Sequence, residues 1–160
     1  NTTDAIFEGD TVTISGGYVV KATPGAANIL GVFIGCKYTD PTTKKPTWKN
    51  YYPGAIVASD IVATVVDDPN ALFLVQASGI AGADCIGNNA DLVQTAAGNT
   101  TTGVSGLELD TSTLAATQAL NVKVVGISAV PGSNDPTAAY ADLIVVINEH
   151  LYRGPTAGVA

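Results

Sequence analysis

The chain has 160 residues, 14 acidic and seven basic side chains, and a formal net charge of −7; this length suits one domain with a core that needs no metal or disulfide support. The acidic balance, with a pI near 4.3, argues against nucleic-acid binding, which needs clustered Lys and Arg. Charged residues make up only 13% against ~25% in an average globular protein, so part of the uncharged surface is expected to be covered by a partner or by copies of the chain itself.

Asn1–Asp4 is polar and reads as a loose arm. Ala5–Phe7 and Thr11–Ser15 read as short strands, and Gly16-Gly17 turns the chain into Tyr18–Lys21 to make a hairpin. Thr23–Asn28, with Pro24 and Gly25, is a loop. The stretch 31–54 holds the only Trp, three of six Tyr, one of two Cys and four of the seven basic residues. Its period-two pattern sets Val32, Ile34, Cys36 and Tyr38 on one side and Phe33, Gly35, Lys37 and Thr39 on the other. Asp40-Pro41 turns the chain, and Thr47–Tyr52 returns with Trp48 and Tyr52 at one parity, so both rings can join one apolar face. The result is a hairpin with a basic, proline-bounded tip.

Ile61–Val66 is a strand, broken by Asp67-Asp68-Pro69-Asn70. Leu72–Ala77 is apolar at both parities, the pattern of a strand covered on both sides or covered on one side by another subunit. Ile80–Gln94 is irregular, with Leu92-Val93 no more than a short apolar patch. The polar, low-complexity run 95–106 is a loop or a weak edge. Strands are expected at Leu107–Leu109 and from Leu120 through Ile127, and 111–119 is a helical turn or a loop. Asp135-Pro136 has the form of a helix start, which predicts one short helix over Thr137–Ala141. Leu143–Ile147 reads as a central strand and Tyr152–Ala160 as an arm. The fold class that follows is all-β, an antiparallel β-sandwich or barrel with at most one short helix.

Catalytic constellations are lacking. The one His, His150, follows the last strand and reads as an ordinary residue, exposed or hydrogen-bonded locally; one His and two Cys leave too few ligands for a usual zinc site. Cys36 and Cys85 are expected to be buried reduced thiols. Asp67–Asn70 has calcium-type donors without calcium spacing, Asp110-Thr111-Ser112 lacks the glycine of an aspartic protease triplet, and no phosphate-binding glycine loop occurs. No cofactor and no metal are expected. No apolar run reaches the ~20 residues needed to span a bilayer and no signal peptide is evident, so no membrane partner is expected. Such a domain should work by contact. Lys37, Lys44, Lys45 and Lys49 form a positive spot suited to an acidic protein surface, with Trp48 and Tyr51 as aromatic anchors, and the two arms, with Tyr152 and Arg153, are further contact candidates. Trp48 is compatible with a place in the core as well as with contact.

GVFIGCKYTD at 31–40, WKNYYPG at 48–54, DDPNALFLVQASG at 67–79, NNADLVQTAAGNTTTGVSGLELD at 88–110 and DLIVVINEHLYRGPTAGV at 142–159 together resemble a family of tailed-bacteriophage virion proteins, the head decoration or cement proteins. The resemblance covers most of the chain in the same order. It implies a non-catalytic, β-rich protein on the outer surface of an icosahedral head built from a different major capsid protein. It also implies passage through the host cytoplasm during assembly and a homo-oligomer, trimer or dimer. Binding the assembled lattice alone would stabilise that lattice. An alternative from another class is a carbohydrate-binding or host-adhesion module on the virion surface, which an aromatic content of 6% disfavours.

Overall fold

A computed structural model describes residues 3–130 and 134–153. Thirteen strands run in the order β1 (Ile6–Phe7), β2 (Thr11–Ser15), β3 (Tyr18–Lys21), β4 (Gly31–Thr39), β5 (Pro46–Lys49), β6 (Tyr51–Tyr52), β7 (Val62–Val66), β8 (Leu72–Gln76), β9 (Asn89–Ala90), β10 (Leu92–Gln94), β11 (Leu107–Leu109), β12 (Val122–Ile127) and β13 (Asp142–Ile147). Strand takes 43% of the described residues and helix 4%, so the fold is all-β, with antiparallel sheets as expected. Among the described residues helix is confined to single 3-10 turns at Ala83–Cys85 and Thr111–Thr113.

The first sheet is organised on β4, the nine-residue strand. One of its edges takes β7 and the other takes β2 near its start and β5 near its end, with β3 beyond β2. The register against β7 shifts between Phe33 and Gly35, which makes Ile34 a β-bulge. A bulge inserts one unpaired residue and reverses the parity of everything after it. Phe33, Cys36 and Tyr38 therefore face one core together with Ile6, Val12 and Tyr52, while Gly35 and Lys37 face outward. The unbroken alternation of Val32, Ile34, Cys36 and Tyr38 is corrected accordingly: Ile34 is exposed and Phe33 is fully buried.

The second sheet has the order β8-β13-β12-β9. β13 is one of its two inner strands, as the β-branched run predicts, and Leu143 and Val145 join Val122, Val124, Leu92, Leu109 and Cys85 in a second core. That core is closed by the β10–β11 pair, in which Leu92 lies opposite Leu109; the patch at Leu92-Val93 is thus a strand. The helix expected over Thr137–Ala141 is absent. Asp135 Oδ1 accepts hydrogen bonds from the backbone N–H of Thr137 (2.9 Å) and its hydroxyl (2.7 Å), closing a turn in place of a helical start. Tyr140 then adopts φ 66°, which no α-helix accommodates. Cys36 and Cys85 are free and lie one in each core, and burial pushes both thiols up from their ordinary range.

Polar side chains join the two halves. Asp10, with no exposed surface, accepts from Phe7 N (2.8 Å), from the Ser105 hydroxyl and from Lys21 Nζ (2.9 Å). Asn121 accepts from Gly25 N (2.9 Å) and donates to the Ala26 carbonyl (2.9 Å), spanning about as much sequence. Asn50 donates to Glu8 and to the Thr102 carbonyl. The low-complexity run 95–106 supplies most of the second partners, and Gly98 lies where an added Cβ would strike the Phe7 ring.

His150 is fully buried rather than exposed, although it is locally bonded: Tyr152 N donates to its Nδ1 (3.1 Å). That bond leaves the proton of the neutral ring on Nε2, which has no hydrogen-bond partner among the described residues. Arg153, from the expected arm, donates to the carbonyls of Ile147 (3.2 Å) and Pro69 and to Asn70 Oδ1 (3.3 Å), bracing the β7–β8 turn. The remainder of that arm, and Asn1 and Thr2 of the other, lie outside the described residues.

Two outcomes test these ties. Replacing Asp10 by Ala strands the Phe7 amide and Lys21 at once, and urea denaturation should show a loss of about 3–5 kcal/mol. Burial, reinforced by Arg153 and opposed by Asp67 and Asp68, holds the His150 imidazole below its ordinary value. The unfolded chain therefore binds this proton first, so stability is full above about pH 6.5 and declines as pH falls through the lowered native value. A His150→Gln variant should show a flatter thermal midpoint between about pH 7 and about pH 5 than the parent.

Candidate interaction surface on the β4–β5 hairpin

The tip between β4 and β5 is built around one carboxylate. Asp40 Oδ1 accepts from the N–H groups of Thr42 and Thr43, both at 2.8 Å, and these bonds, Thr43 first, hold its carboxyl below the usual range. The Asp40 carbonyl accepts from Lys44 N (2.8 Å) and its N–H donates to the Lys45 carbonyl (3.0 Å). Lys44 sits at φ 59°, and both lysine side chains project from the loop, exposed. At the base, Thr39 donates through its N–H and its hydroxyl to Asp60, which fixes the end of β4 to the connection before β7.

Behind the tip, Lys37 stands between Trp48 of β5 and Val62 of β7 in the cross-strand register, so all three share the outward face. The Trp48 ring extends back over Gly35: a Cβ added to Gly35 would lie 2.9 Å from the indole and 2.7 Å from the Lys49 carbonyl. Only glycine permits that approach. Trp48 remains 62% exposed although its ring is seated on the sheet, with Ile34 and Val62 as further exposed apolar groups on this strand pair. Among the described residues the ion pair formed is Lys21–Asp10; Lys37, Lys44 and Lys45 enter none, and they concentrate positive charge beside an aromatic plane.

Lys49 and Tyr51 do not belong to this group. Asn50 interrupts the strand, and β6 leaves β5 to pair with β1, so parity is not carried from Trp48 to Tyr52. Tyr52 is buried while Trp48 is outside, which corrects the expectation that the two rings share one face. Tyr51 stacks on Phe7 (5.5 Å between centroids, 8° between planes) and Lys49 Nζ caps its ring at 5.1 Å. This packing uses both residues internally. Tyr152, 57% exposed and tilted against His150 at 5.7 Å, and Arg153 lie by the β7–β8 turn, and the Arg153 guanidinium is engaged there. Gly35, Ile34 and Val62 complete the face; the one signal for them in the sequence was a glycine inside a strand pattern, which marks a bulge or a close approach.

On the inner side of the first sheet, a cleft of about 900 Å³ is lined by Val19, Phe33, Cys36, Tyr52, Val57 and Ile61 among others. Its lining carries no carboxylate or imidazole, and a thiol raised by burial stays protonated near neutrality, so the cleft offers neither a base nor an activated nucleophile. No group of His, Cys, Asp and Glu among the described residues is arranged to hold a metal ion. In the Asp67–Asn70 turn the Arg153 guanidinium takes up the Pro69 carbonyl and Asn70 Oδ1, and Asp68 Oδ1 accepts from Asn70 N (2.8 Å). No helix of the described residues is long and apolar enough to cross a membrane. Compared with protein-family models, curated proteins and solved structures, the chain matches none.

The seat of Trp48 can be checked directly, because it is the chain's one tryptophan. Gly35→Ala should displace the ring, seen as a change in intrinsic fluorescence, and should cost about 1–3 kcal/mol in denaturation. An unchanged spectrum and midpoint would show that the ring does not rest on this glycine.

Proposed function

We propose that the protein is a non-catalytic contact protein that binds the outer surface of an icosahedral phage head made of a different major capsid protein, and stabilises the assembled lattice. The observation that carries this reading is the hairpin face, an exposed indole resting over Gly35 beside Lys37, with Lys44 and Lys45 at the tip, on a chain of net charge −7. Tryptophan is prominent among residues that dominate protein interfaces. A local cationic spot on an acidic body orients docking onto an acidic surface while the rest of the molecule is repelled from it. The dispersed motifs that resemble decoration proteins point the same way.

Stabilisation follows from linkage. A protein that binds only the assembled shell, present at about 100 times its dissociation constant, contributes about 2.7 kcal/mol per site, and repeated sites multiply that effect over a lattice. Lys37, Lys44 and Lys45 act mainly on the rate of encounter, since exposed charges are screened beyond about 8 Å at physiological ionic strength. Trp48 supplies affinity through the apolar area it buries.

A second reading, a carbohydrate-binding or host-adhesion module, is favoured by one feature, the exposed face of Trp48, since a flat aromatic ring can also stack on a sugar. A glycan array separates the two. Saturable hits lost in Trp48→Ala support the sugar reading, and co-sedimentation with assembled heads supports the decoration reading.

In co-sedimentation with assembled heads, Trp48→Ala should weaken binding about 30-fold, the equivalent of ~2 kcal/mol, with the protein's own thermal midpoint unchanged. Changing Lys37, Lys44 and Lys45 together to Glu should slow association by about tenfold at low salt and less at high salt. Undiminished occupancy in both variants would remove the hairpin from the contact.

A further inference from the structure

The second sheet also presents an outward face, and its chemistry differs from that of the hairpin. Leu72 and Leu74 of β8 are 62% and 61% exposed, and Val125 of β12 is 42% exposed. Ile144 and Val146 of β13 lie opposite Leu74 and Leu72 in the register and are half-buried between them and β12. The opposite side of the same strands, with Phe73, Val75, Leu143 and Val145, packs on the second core. These strands are therefore apolar on both sides, and among the described residues none covers the outer one. β8 also has no charge or proline between Leu72 and Gln76, although such residues are the usual guard of an exposed edge strand.

We infer that this face is the surface through which a second copy of the chain binds, about a two-fold axis lying in the face and running across the strands. The argument rests on charge. The face carries one cation and one anion, at opposite ends: Lys123 lies opposite Val146 and, through it, level with Leu72, whereas Asp142 lies opposite Gln76. A two-fold axis of that orientation reverses strand direction, so Leu74 and Ile144 meet their own counterparts near the axis. Each Lys123 then lies near Asp142 of the other copy. An isologous contact requires such self-complementarity. The hairpin, where Lys37, Lys44, Lys45 and Lys49 outnumber Asp40 and Asp60 and both carboxylates are taken up by bonds within the fold, suits a foreign acidic partner; the balanced face suits itself.

Three strands spaced about 4.8 Å apart and some five residues long at about 3.3 Å each offer roughly 240 Å² per copy, below the ~800 Å² per partner of a standard interface. The association is accordingly weak and reversible, and strengthens wherever neighbouring copies are held close together.

Sedimentation of the full chain, without any shell present, from about 10 μM to about 1 mM tests the inference. The expected result is a dimer fraction that rises with concentration, is abolished by Leu72→Glu with Leu74→Glu, and is weakened about tenfold by Lys123→Asp. Adding Asp142→Lys to Lys123→Asp should restore it. Should the double-leucine variant fail to fold, the charge reversal and its restoration carry the test alone. A wild-type chain that stays monomeric throughout overturns the inference. So does association, as dimer or trimer, that survives the leucine changes, or one the second charge change does not restore. Because no capsid enters the measurement, these results stand apart from those on the hairpin.

Discussion

The Asp10 carboxylate is the constraint on which the remaining geometry depends. Each half of the chain buries a modest apolar cluster, six fully buried residues in the first and ten in the second, and clusters of that size hold one another in place only weakly through area alone. A buried carboxylate is costly unless its oxygens are all answered. Here the answers come from β1, from β3 and, through Ser105, from 95 residues away in the sequence. Satisfying the charge therefore fixes three segments at once. The Phe7 amide held by Asp10 sets the Phe7 ring, Tyr51 stacks on that ring, and β6 turns inward at Asn50 to reach it. Trp48, on the other side of that corner, is left outside.

Strands were legible where alternation was local. β2 and β12 lie within a residue or two of where side-chain parity places them, β3 follows its Gly-Gly turn, and β7, β8 and β13 lie where short apolar or β-branched runs bounded by turn residues place them. Where the reading failed, a longer-range partner had overridden local pattern. The bulge at Ile34 answers to the register of β7, some 30 residues on, and no local feature of Val32-Phe33-Ile34 shows it. Asp135-Pro136 carries a sound helix-start signal, yet its carboxylate is used to close a turn around Thr137. The tie from Ser105 was invisible for a different reason: a run of Thr, Gly and Ala has no periodicity from which a buried partner can be deduced.

Of the contact residues singled out from sequence, Lys37, Lys44, Lys45 and Trp48 converge because antiparallel pairing brings their strands together. Lys49 and Tyr51 were separated from them by a single interruption at Asn50, and Arg153 by hydrogen-bonding demand in the β7–β8 turn. The scarcity of charge in the composition also has a structural counterpart. Several of the ionisable groups present are spent on architecture, with Asp10, Asp40, Asp60, Asp110 and Asp135 accepting hydrogen bonds within turns and between strands. Little charge is left to solvate the outer faces of the two sheets, and each of those faces keeps its own pattern of apolar and charged groups.

The Arg153 brace bears on how the molecule carries mechanical load. Its guanidinium grips the carbonyl at the end of β13, an inner strand, and at the same time the turn through which the chain passes from the first sheet to the second. A pull on the chain beyond Arg153 therefore meets these bonds before it reaches the β13 ladder. The strain is divided between the two sheets instead of peeling β13 from its neighbours one rung at a time, which is the difference between yielding gradually and holding until the fold fails as a unit.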